Sequence, residues 1–300
     1  MDINGFHLEL TNICTLKCPG CARTQFRNIM PHHWQNKSLD IDSALRFMDI
    51  DLTNKEILLC GNTGDPIYHP DFHNVLKKLK ATGAVLRIAT NGSYKNKQWW
   101  KQTVDILDAD DEIEFSVDGL PSNFTTYRVN GDWDSIQIGM QVVAQAKCKS
   151  NWSFIPFNYN ENDIDEAREL CYKIGLDNFE VAPSDRWDKH VEHLKPSNKY
   201  VKTEYNRIKQ WKETLQFGEI KPRCSNGINH FITAEGYYTP CCFSADFRYY
   251  YKTPFGNDKE SYNIATTTIT KIMEYDQLKT FTSNFEDYKI CQYTCGTCST

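Results

Sequence analysis

The stretch Cys14-Thr15-Leu16-Lys17-Cys18-Pro19-Gly20-Cys21 carries three cysteines in a C-x3-C-x2-C spacing. It follows Phe6 to Leu10, a β-prone run, so the three thiols lie on a loop that leaves a predicted strand. A structural zinc site and a four-iron cluster each usually take four protein ligands. Three thiolates on one loop therefore predict an iron-sulfur cluster with one iron open to a small molecule. A zinc or purely structural site is the alternative.

Composition narrows the class of protein. The chain has 300 residues with 34 Lys+Arg against 39 Asp+Glu, a formal net charge of -5, so no global field attracts nucleic acid or an anionic membrane. The sequence holds no apolar run of about 20 residues, and Met1 to Glu9 lacks the apolar core of a secretion signal. We therefore expect a cytoplasmic protein with neither a membrane nor a nucleic-acid partner. In that compartment the 12 cysteines indicate metal or redox chemistry rather than disulfides.

Short β-prone runs alternate with helical patterns through the first 185 residues, which predicts a parallel sheet covered by helices. The candidate strands are Phe6 to Leu10, Glu56 to Cys60, Val85 to Ala89, Glu112 to Val117, Trp152 to Phe157 and Asn178 to Val181. Glycine and polar residues follow the C-terminal ends of these strands. Ligands bind at that edge of α/β barrels and open parallel sheets.

Four later segments stand in an order that, together with the cysteine loop, resembles the radical SAM superfamily. They are Gly61-Asn62-Thr63-Gly64-Asp65-Pro66, Thr90-Asn91-Gly92, Phe115-Ser116-Val117-Asp118-Gly119 and Arg128 within Tyr127-Arg128-Val129-Asn130-Gly131. The resemblance implies an α/β fold, a partial (β/α)6 TIM-like barrel. It also implies a 4Fe-4S cluster on Cys14, Cys18 and Cys21 that binds S-adenosylmethionine (SAM).

The same resemblance implies which residues contact SAM. The segment 61–66 resembles the family's Gly-Gly-Glu-Pro element, whose backbone receives the SAM amino group, with Thr63 and Asp65 as departures. Arg128 is expected to pair with the SAM carboxylate, and Ser116 to lie near the ribose or carboxylate. The implied cofactor-binding residues are Gly64, Asp65, Asn91, Ser116, Asp118 and Arg128. Gly20 departs from the family, which commonly has an aromatic residue there beside the adenine, so adenine contacts must come from elsewhere.

Six further cysteines lie between 224 and 298. Cys224, Gly236 and Cys241 form C-x11-G-x4-C, and the chain ends with Cys291-x3-Cys295-x2-Cys298. This resembles a SPASM domain or the shorter twitch domain, in which a β-hairpin and a following helix hold auxiliary iron-sulfur clusters. Two complete clusters need about eight ligands, so we expect one auxiliary 4Fe-4S cluster, with structural zinc as the alternative. Its expected ligands are Cys224, Cys241, Cys295 and Cys298, with Cys242 and Cys291 as substitutes.

The predicted organisation is a radical SAM core (1–185), a connecting helix or linker (186–222) and a SPASM or twitch-like α+β domain (223–300). A β-hairpin is expected over Phe231 to Thr239 and a helix over Thr266 to Phe281. The catalytic side chains stay unassigned.

The implied activity is reductive cleavage of SAM to a 5'-deoxyadenosyl radical that removes a substrate hydrogen, with flavodoxin or ferredoxin as electron donor. The substrate is expected to be a peptide. One alternative is a twitch-type dehydrogenase or epimerase of a small alcohol or sugar. A non-catalytic iron-sulfur or zinc scaffold for electron transfer is the alternative from another class.

Overall fold

The computed structural model describes residues 3–184, 187–201, 217–228 and 230–298. One sheet in the order β6-β5-β4-β3-β2-β1-β8-β9 organises the fold, and β9 alone among its strands runs antiparallel to its neighbour. In the described residues this sheet stays open, as in a partial TIM barrel. Its strands are β1 (Gly5–Leu8), β2 (Glu56–Leu59), β3 (Val85–Thr90), β4 (Glu112–Ser116), β5 (Lys149–Phe154), β6 (Asn178–Val181), β8 (His230–Ile232) and β9 (Tyr238–Thr239). A separate antiparallel pair joins β7 (Phe217–Ile220) to β10 (Gly296–Cys298).

Six helices follow the parallel strands and pack against the sheet: α1 (Ala22–Ile29), α2 (Ile41–Phe47), α3 (Phe72–Ala81), α4 (Lys97–Val104), α5 (Trp133–Val143) and α6 (Ile164–Ile174). Four more come after β9: α7 (Pro254–Asn257), α8 (Ile269–Glu274), α9 (Asp276–Ser283) and α10 (Lys289–Cys295). In α3 the buried side chains are Phe72, Val75, Leu76 and Leu79, at the spacing that turns one helical face toward the core. Helix α6 ends at Gly175, which takes a left-handed conformation with φ of 102°.

The six predicted core strands are confirmed, most with ends shifted by one to three residues. Two expected helices differ. The run from Thr266 to Phe281 forms α8 and α9, which are separated at Tyr275 in an extended conformation. The predicted connecting helix is wrong for residues 187–201, which contain two short 3-10 turns around Pro196, a residue that interrupts helices. Residues 202–216 of that prediction lie outside the described residues.

Strand β8 joins the C-terminal part of the chain to the core sheet. We call residues 223–298 the cap. β8 pairs in parallel with β1, where Phe6 faces His230 and Leu8 faces Ile232. The expected hairpin is confirmed: β8 and β9 are antiparallel, and Gly236 in their turn has a φ of 87°. β1 therefore lies between β2 of the core and β8 of the cap, which brings the cap to the edge where the cysteine loop begins.

None of the described helices has both the length and the apolar character needed to cross a membrane.

Candidate functional site

The cysteine loop runs from the end of β1 to the start of α1. Cys18 is buried, while Cys14 and Cys21 are half-buried. The Cys21 N–H donates to the Cys18 carbonyl oxygen at 3.1 Å, and Cys21 then caps α1. Burial raises the pKa of Cys14 to about 12 and that of Cys18 to about 11. These thiols therefore stay protonated until a metal replaces the proton.

The segment 61–66, which the resemblance implies is a SAM contact and which we call the SAM loop for that reason, lies against the cysteine loop. A Cβ on Gly64 would collide with the Thr11 carbonyl oxygen, so only glycine allows this approach. The Asp65 N–H donates to the Ile13 carbonyl oxygen at 3.0 Å. The predicted juxtaposition of these two loops thus rests on backbone contacts, and the change from Gly to Thr at position 63 does not disturb them.

The Asp65 carboxylate joins the SAM loop to the end of β3. It is buried and accepts from Thr90 Oγ1 at 2.8 Å, from the Asn91 N–H at 2.7 Å and from Asn91 Nδ2. Burial raises the pKa of Asp65, and these donors oppose the shift. Asn91 Nδ2 also lies 3.6 Å from Cys14 Sγ. Gly64, Asp65, Asn91 and Cys14 therefore form one connected group.

Asp118 and Arg128 form a second group on the Cys18 side of the loop. Arg128 Nε donates to Asp118 Oδ2 at 2.6 Å, and the Ile155 N–H donates to Asp118 Oδ1 at 2.8 Å. The Lys17 N–H donates to the Val129 carbonyl oxygen at 2.9 Å, which brings Arg128 beside Cys18. The guanidinium is thus paired with Asp118 and lies next to a cluster-loop cysteine. Its role toward a SAM carboxylate stays a prediction.

Ser116, the remaining implied SAM contact, ends β4. Its hydroxyl donates to Glu114 Oε1 on the same strand at 3.4 Å.

Glu9 is a buried carboxylate that we did not predict. One oxygen, Oε1, accepts from the Thr63 N–H at 2.7 Å and from Thr63 Oγ1 at 2.9 Å. Burial raises the pKa of Glu9 to about 7, although these donors oppose the rise. The sequence held a signal for it, because Glu9 is the one ionised residue within the β-prone run Phe6 to Leu10.

A second cysteine site lies between the cap and the core sheet. A cavity of about 220 Å³, which we call the cap cavity, lies between α9, α10, the strands β1 and β2, and the segments that follow β7 and β9. Its sulfur-bearing and polar lining residues are His7, Cys224, Cys241, Cys242, Cys291, Thr294 and Cys295. Burial raises the pKa of Cys291, and the nearby Cys241, Cys224 and Cys295 raise it further. Cys291, expected only as a substitute, therefore lies among the expected ligands, while the side chain of Cys298 lies outside the described residues.

The cap cavity suits an iron-sulfur cluster in size and in donor type. It is more than ten times the roughly 10–15 Å³ that one water molecule needs, and thiolates are the ligands such clusters take. Within the described ranges, no three His, Cys, Asp or Glu side chains lie close enough together to hold a single metal ion.

Comparison with known families defines the class. The Radical SAM superfamily profile matches residues 8–171, and that of SPASM, an iron-sulfur cluster-binding domain, matches residues 224–299. The chain belongs to the radical SAM superfamily and carries a C-terminal SPASM domain. Members of this superfamily are enzymes that use a 4Fe-4S cluster and SAM. The SPASM domain adds an auxiliary iron-sulfur cluster site.

Individual relatives are more distant. The chain is 28% identical over 120 residues to a tungsten-containing aldehyde ferredoxin oxidoreductase cofactor-modifying protein of Pyrococcus furiosus, which covers 39% of this chain but only 31% of that protein. It is 22% identical to a probable GTP 3',8-cyclase of Methanococcus vannielii, over 86% of this chain and 91% of the relative. In fold it is similar to Streptococcus suis SuiB bound to the precursor peptide SuiA, with a TM-score of 0.62 at 15% identity, over 99% of this chain and 72% of SuiB.

Proposed function

We propose that this protein is a peptide-modifying radical SAM enzyme. Cys14, Cys18 and Cys21 would hold the 4Fe-4S cluster, which would supply one electron for the cleavage of SAM into methionine and a 5'-deoxyadenosyl radical, and that radical would take a hydrogen atom from the substrate. Flavodoxin or ferredoxin is the proposed electron donor. The carrying observation is the contact of the SAM loop with the cysteine loop through Gly64 and Asp65.

The proposed division of labour follows from the two groups around the cysteine loop. Asp65 fixes the SAM loop to Asn91, whose amide lies 3.6 Å from Cys14 Sγ. Gly64 leaves the loop backbone as the surface that meets the SAM amino group. On the other side, Asp118 fixes Arg128 next to Cys18. Ser116, at the end of β4, completes the proposed SAM contacts.

For the auxiliary cluster we propose Cys224, Cys241, Cys291 and Cys295 as ligands. The choice of Cys291 over Cys298 rests on its burial and on its closeness to the other three thiols. Cys242 lines the same cavity and follows Cys241 directly. Four cysteine ligands suit a cluster that relays electrons, since all its irons are then held by protein.

A peptide is favoured by the similarity to SuiB, which was crystallised with its precursor peptide and resembles the cap as well as the core. An open groove of about 490 Å³ also lies between residues 35–44 and the β8–β9 turn. It offers both signs of charge through Lys37, Asp40, Glu235 and Lys259. The second candidate is a small-molecule reaction, which the near full-length similarity to a probable GTP 3',8-cyclase supports.

One experiment tests both the cleavage of SAM and the class of substrate. Anaerobically reconstituted protein is reduced with dithionite in the presence of SAM, and 5'-deoxyadenosine is quantified beside a Cys18→Ala variant. We expect product from the wild type and none from the variant, and its absence from both contradicts the radical SAM assignment. A deuterated protein digest is then compared with deuterated GTP as hydrogen source. Deuterium in 5'-deoxyadenosine from the digest supports a peptide substrate, whereas deuterium only from GTP contradicts it.

A further inference from the structure

The SAM loop is bonded to the cap as well as to the core. Asn62 Nδ2 donates to the Cys242 carbonyl oxygen at 2.6 Å, across 180 residues of sequence. Cys242 directly follows Cys241, and both residues line the cap cavity. The backbone that carries a proposed cluster ligand is thus held by a side chain of the SAM loop.

Two other contacts also connect the region of the SAM loop with the cap or its cavity. Glu9 accepts from Thr63 of the SAM loop, and its own backbone N–H donates to the Ile232 carbonyl oxygen of β8 at 2.9 Å. His7 forms part of the cavity wall, and its Nε2 lies 2.6 Å from the Cys60 carbonyl oxygen, one residue before the SAM loop. That oxygen can only accept, so Nε2 carries the proton. The cap cavity and the SAM loop therefore share one bonded framework around β1.

We propose that Asn62 is a positioning residue through which the occupied cap cavity holds the SAM loop in its SAM-binding shape. This inference rests on the proposed function, since it takes residues 61–66 to be the SAM site. A cluster bound to Cys241 fixes the adjoining Cys242 carbonyl, and that carbonyl in turn fixes Asn62. Coupling between two sites is reciprocal in binding free energy, so SAM also strengthens retention of the auxiliary cluster.

The test is a double-mutant cycle read out as SAM affinity. SAM dissociation constants are measured by equilibrium dialysis on reconstituted wild type, Asn62→Ala, Cys295→Ala and the double variant. Asn4→Ala is the matched control, because Asn4 Nδ2 also donates to a cap carbonyl, that of Asn226, at 2.8 Å but at the opposite end of β1. Asn62→Asp, which cannot donate, and Cys291→Ala serve as second variants if either first choice folds poorly.

We expect Asn62→Ala to weaken SAM binding about fivefold, as the loss of one hydrogen bond does. In the Cys295→Ala background, once iron counting has shown that the auxiliary cluster is absent, the same change should matter less than twofold. Asn4→Ala should have no such effect in either background. Equal SAM affinity of wild type and Asn62→Ala overturns this inference, and so does an equal loss in both backgrounds. Failure of the wild type to bind SAM instead overturns the proposed function itself.

Discussion

The hydroxyl of Tyr127 occupies the space beside the Cα of Gly20. A Cβ on Gly20 would lie 2.9 Å from Tyr127 Oη and 3.1 Å from Val191 Cγ1. The Tyr127 ring packs on Phe157 with their centroids 4.4 Å apart. Tyr127 and Val191 therefore fill the space that a side chain at position 20 would need. This explains why position 20 is a glycine, whereas the superfamily commonly has an aromatic residue there.

A methyl group at position 20 should therefore destabilise the protein. We expect Gly20→Ala to lower the free energy of unfolding by about 1–2 kcal/mol, the cost of overpacking a close contact. The measurement is urea unfolding of the cluster-free protein. Gly20→Ala combined with Tyr127→Phe, which lacks the hydroxyl, should recover part of the loss. An unchanged free energy of unfolding for Gly20→Ala would show that the side chains of Tyr127 and Val191 move aside without an energetic cost.

The Asp118–Arg128 ion pair predicts a large effect of neutralising the acid. Asp118 is fully buried and the Arg128 side chain is 17% exposed, so Asp118→Asn leaves a poorly solvated cation. We expect a loss of about 3 kcal/mol, near the lower end for a broken buried pair. Asp165→Asn is the control, because it breaks the exposed pair with Arg168 and should cost under about 1 kcal/mol. Similar losses in the free energy of unfolding for Asp118→Asn and Asp165→Asn would contradict the idea that burial makes the Asp118–Arg128 pair more costly to break.

Arg128 should also tune the first cluster. A positive charge beside Cys18 favours the more negative, reduced state. Arg128→Gln is expected to lower the midpoint potential of that cluster by roughly tens of millivolts. Arg128→Lys, which keeps the positive charge, should have a midpoint potential close to that of the wild type. The potential is followed by redox titration with electron paramagnetic resonance. Arg168→Gln, on an exposed helix face, is the matched control, and an equal potential in Arg128→Gln would show that the charge does not reach the cluster.

Glu9 gives the protein a specific pH dependence. Burial raises the folded pKa of Glu9 to about 7, against 4.5 for an unperturbed glutamate. Between those values the folded state binds more protons than the unfolded state, so the Glu9 contribution to stability falls as pH rises from 4.5 to 7 and is flat above. Glu9→Gln removes this slope, which amounts to at most about 1.4 kcal/mol per pH unit.

The comparison must be made as a difference between wild type and Glu9→Gln. His7, whose pKa burial lowers to about 4, acts oppositely: it withdraws stability as pH falls below 6.5. Urea unfolding at several pH values separates the two contributions, since His7 is present in both proteins. A difference between the two proteins that is constant from pH 4.5 to 7 would contradict the raised pKa.

The proposed auxiliary ligands predict iron content. Fully loaded protein should hold about eight irons, and Cys241→Ala or Cys291→Ala should hold about four. Cys148→Ala is the control, because Cys148 is buried just before β5, at the edge of the sheet opposite to the cysteine loop, with Asp111, Asp177 and Asp108 as its charged neighbours. Iron and acid-labile sulfide are counted on anaerobically reconstituted samples. Retention of about eight irons by Cys291→Ala would return the fourth position to Cys298 or Cys242.

Local patterns were enough to predict the core strands and the convergence of Cys14, Gly64 and Asn91 at one edge of the sheet. Those features depend on periodicity and on the parallel topology that periodicity implies. Contacts between distant segments were not predictable in the same way. The bonds from Asn62 to Cys242 and from Glu9 to Ile232 depend on how β8 enters the sheet beside β1. No local spacing encodes that register. For the same reason, the sequence did not predict that Cys291 lies beside Cys224, Cys241 and Cys295.

The central place of β1 has a consequence for biosynthesis. Its second neighbour, β8, is translated more than 220 residues later, and at about 5–20 residues per second that interval lasts roughly ten seconds or longer. During that interval the nascent chain presents a strand edge with unpaired backbone groups, a state prone to aggregation. Helix α1, which directly follows the cysteine loop, packs Phe26 on Phe247 of the cap and gains this neighbour only when the cap emerges from the ribosome. Metal delivery to the first three sulfurs is therefore expected to follow translation rather than accompany it.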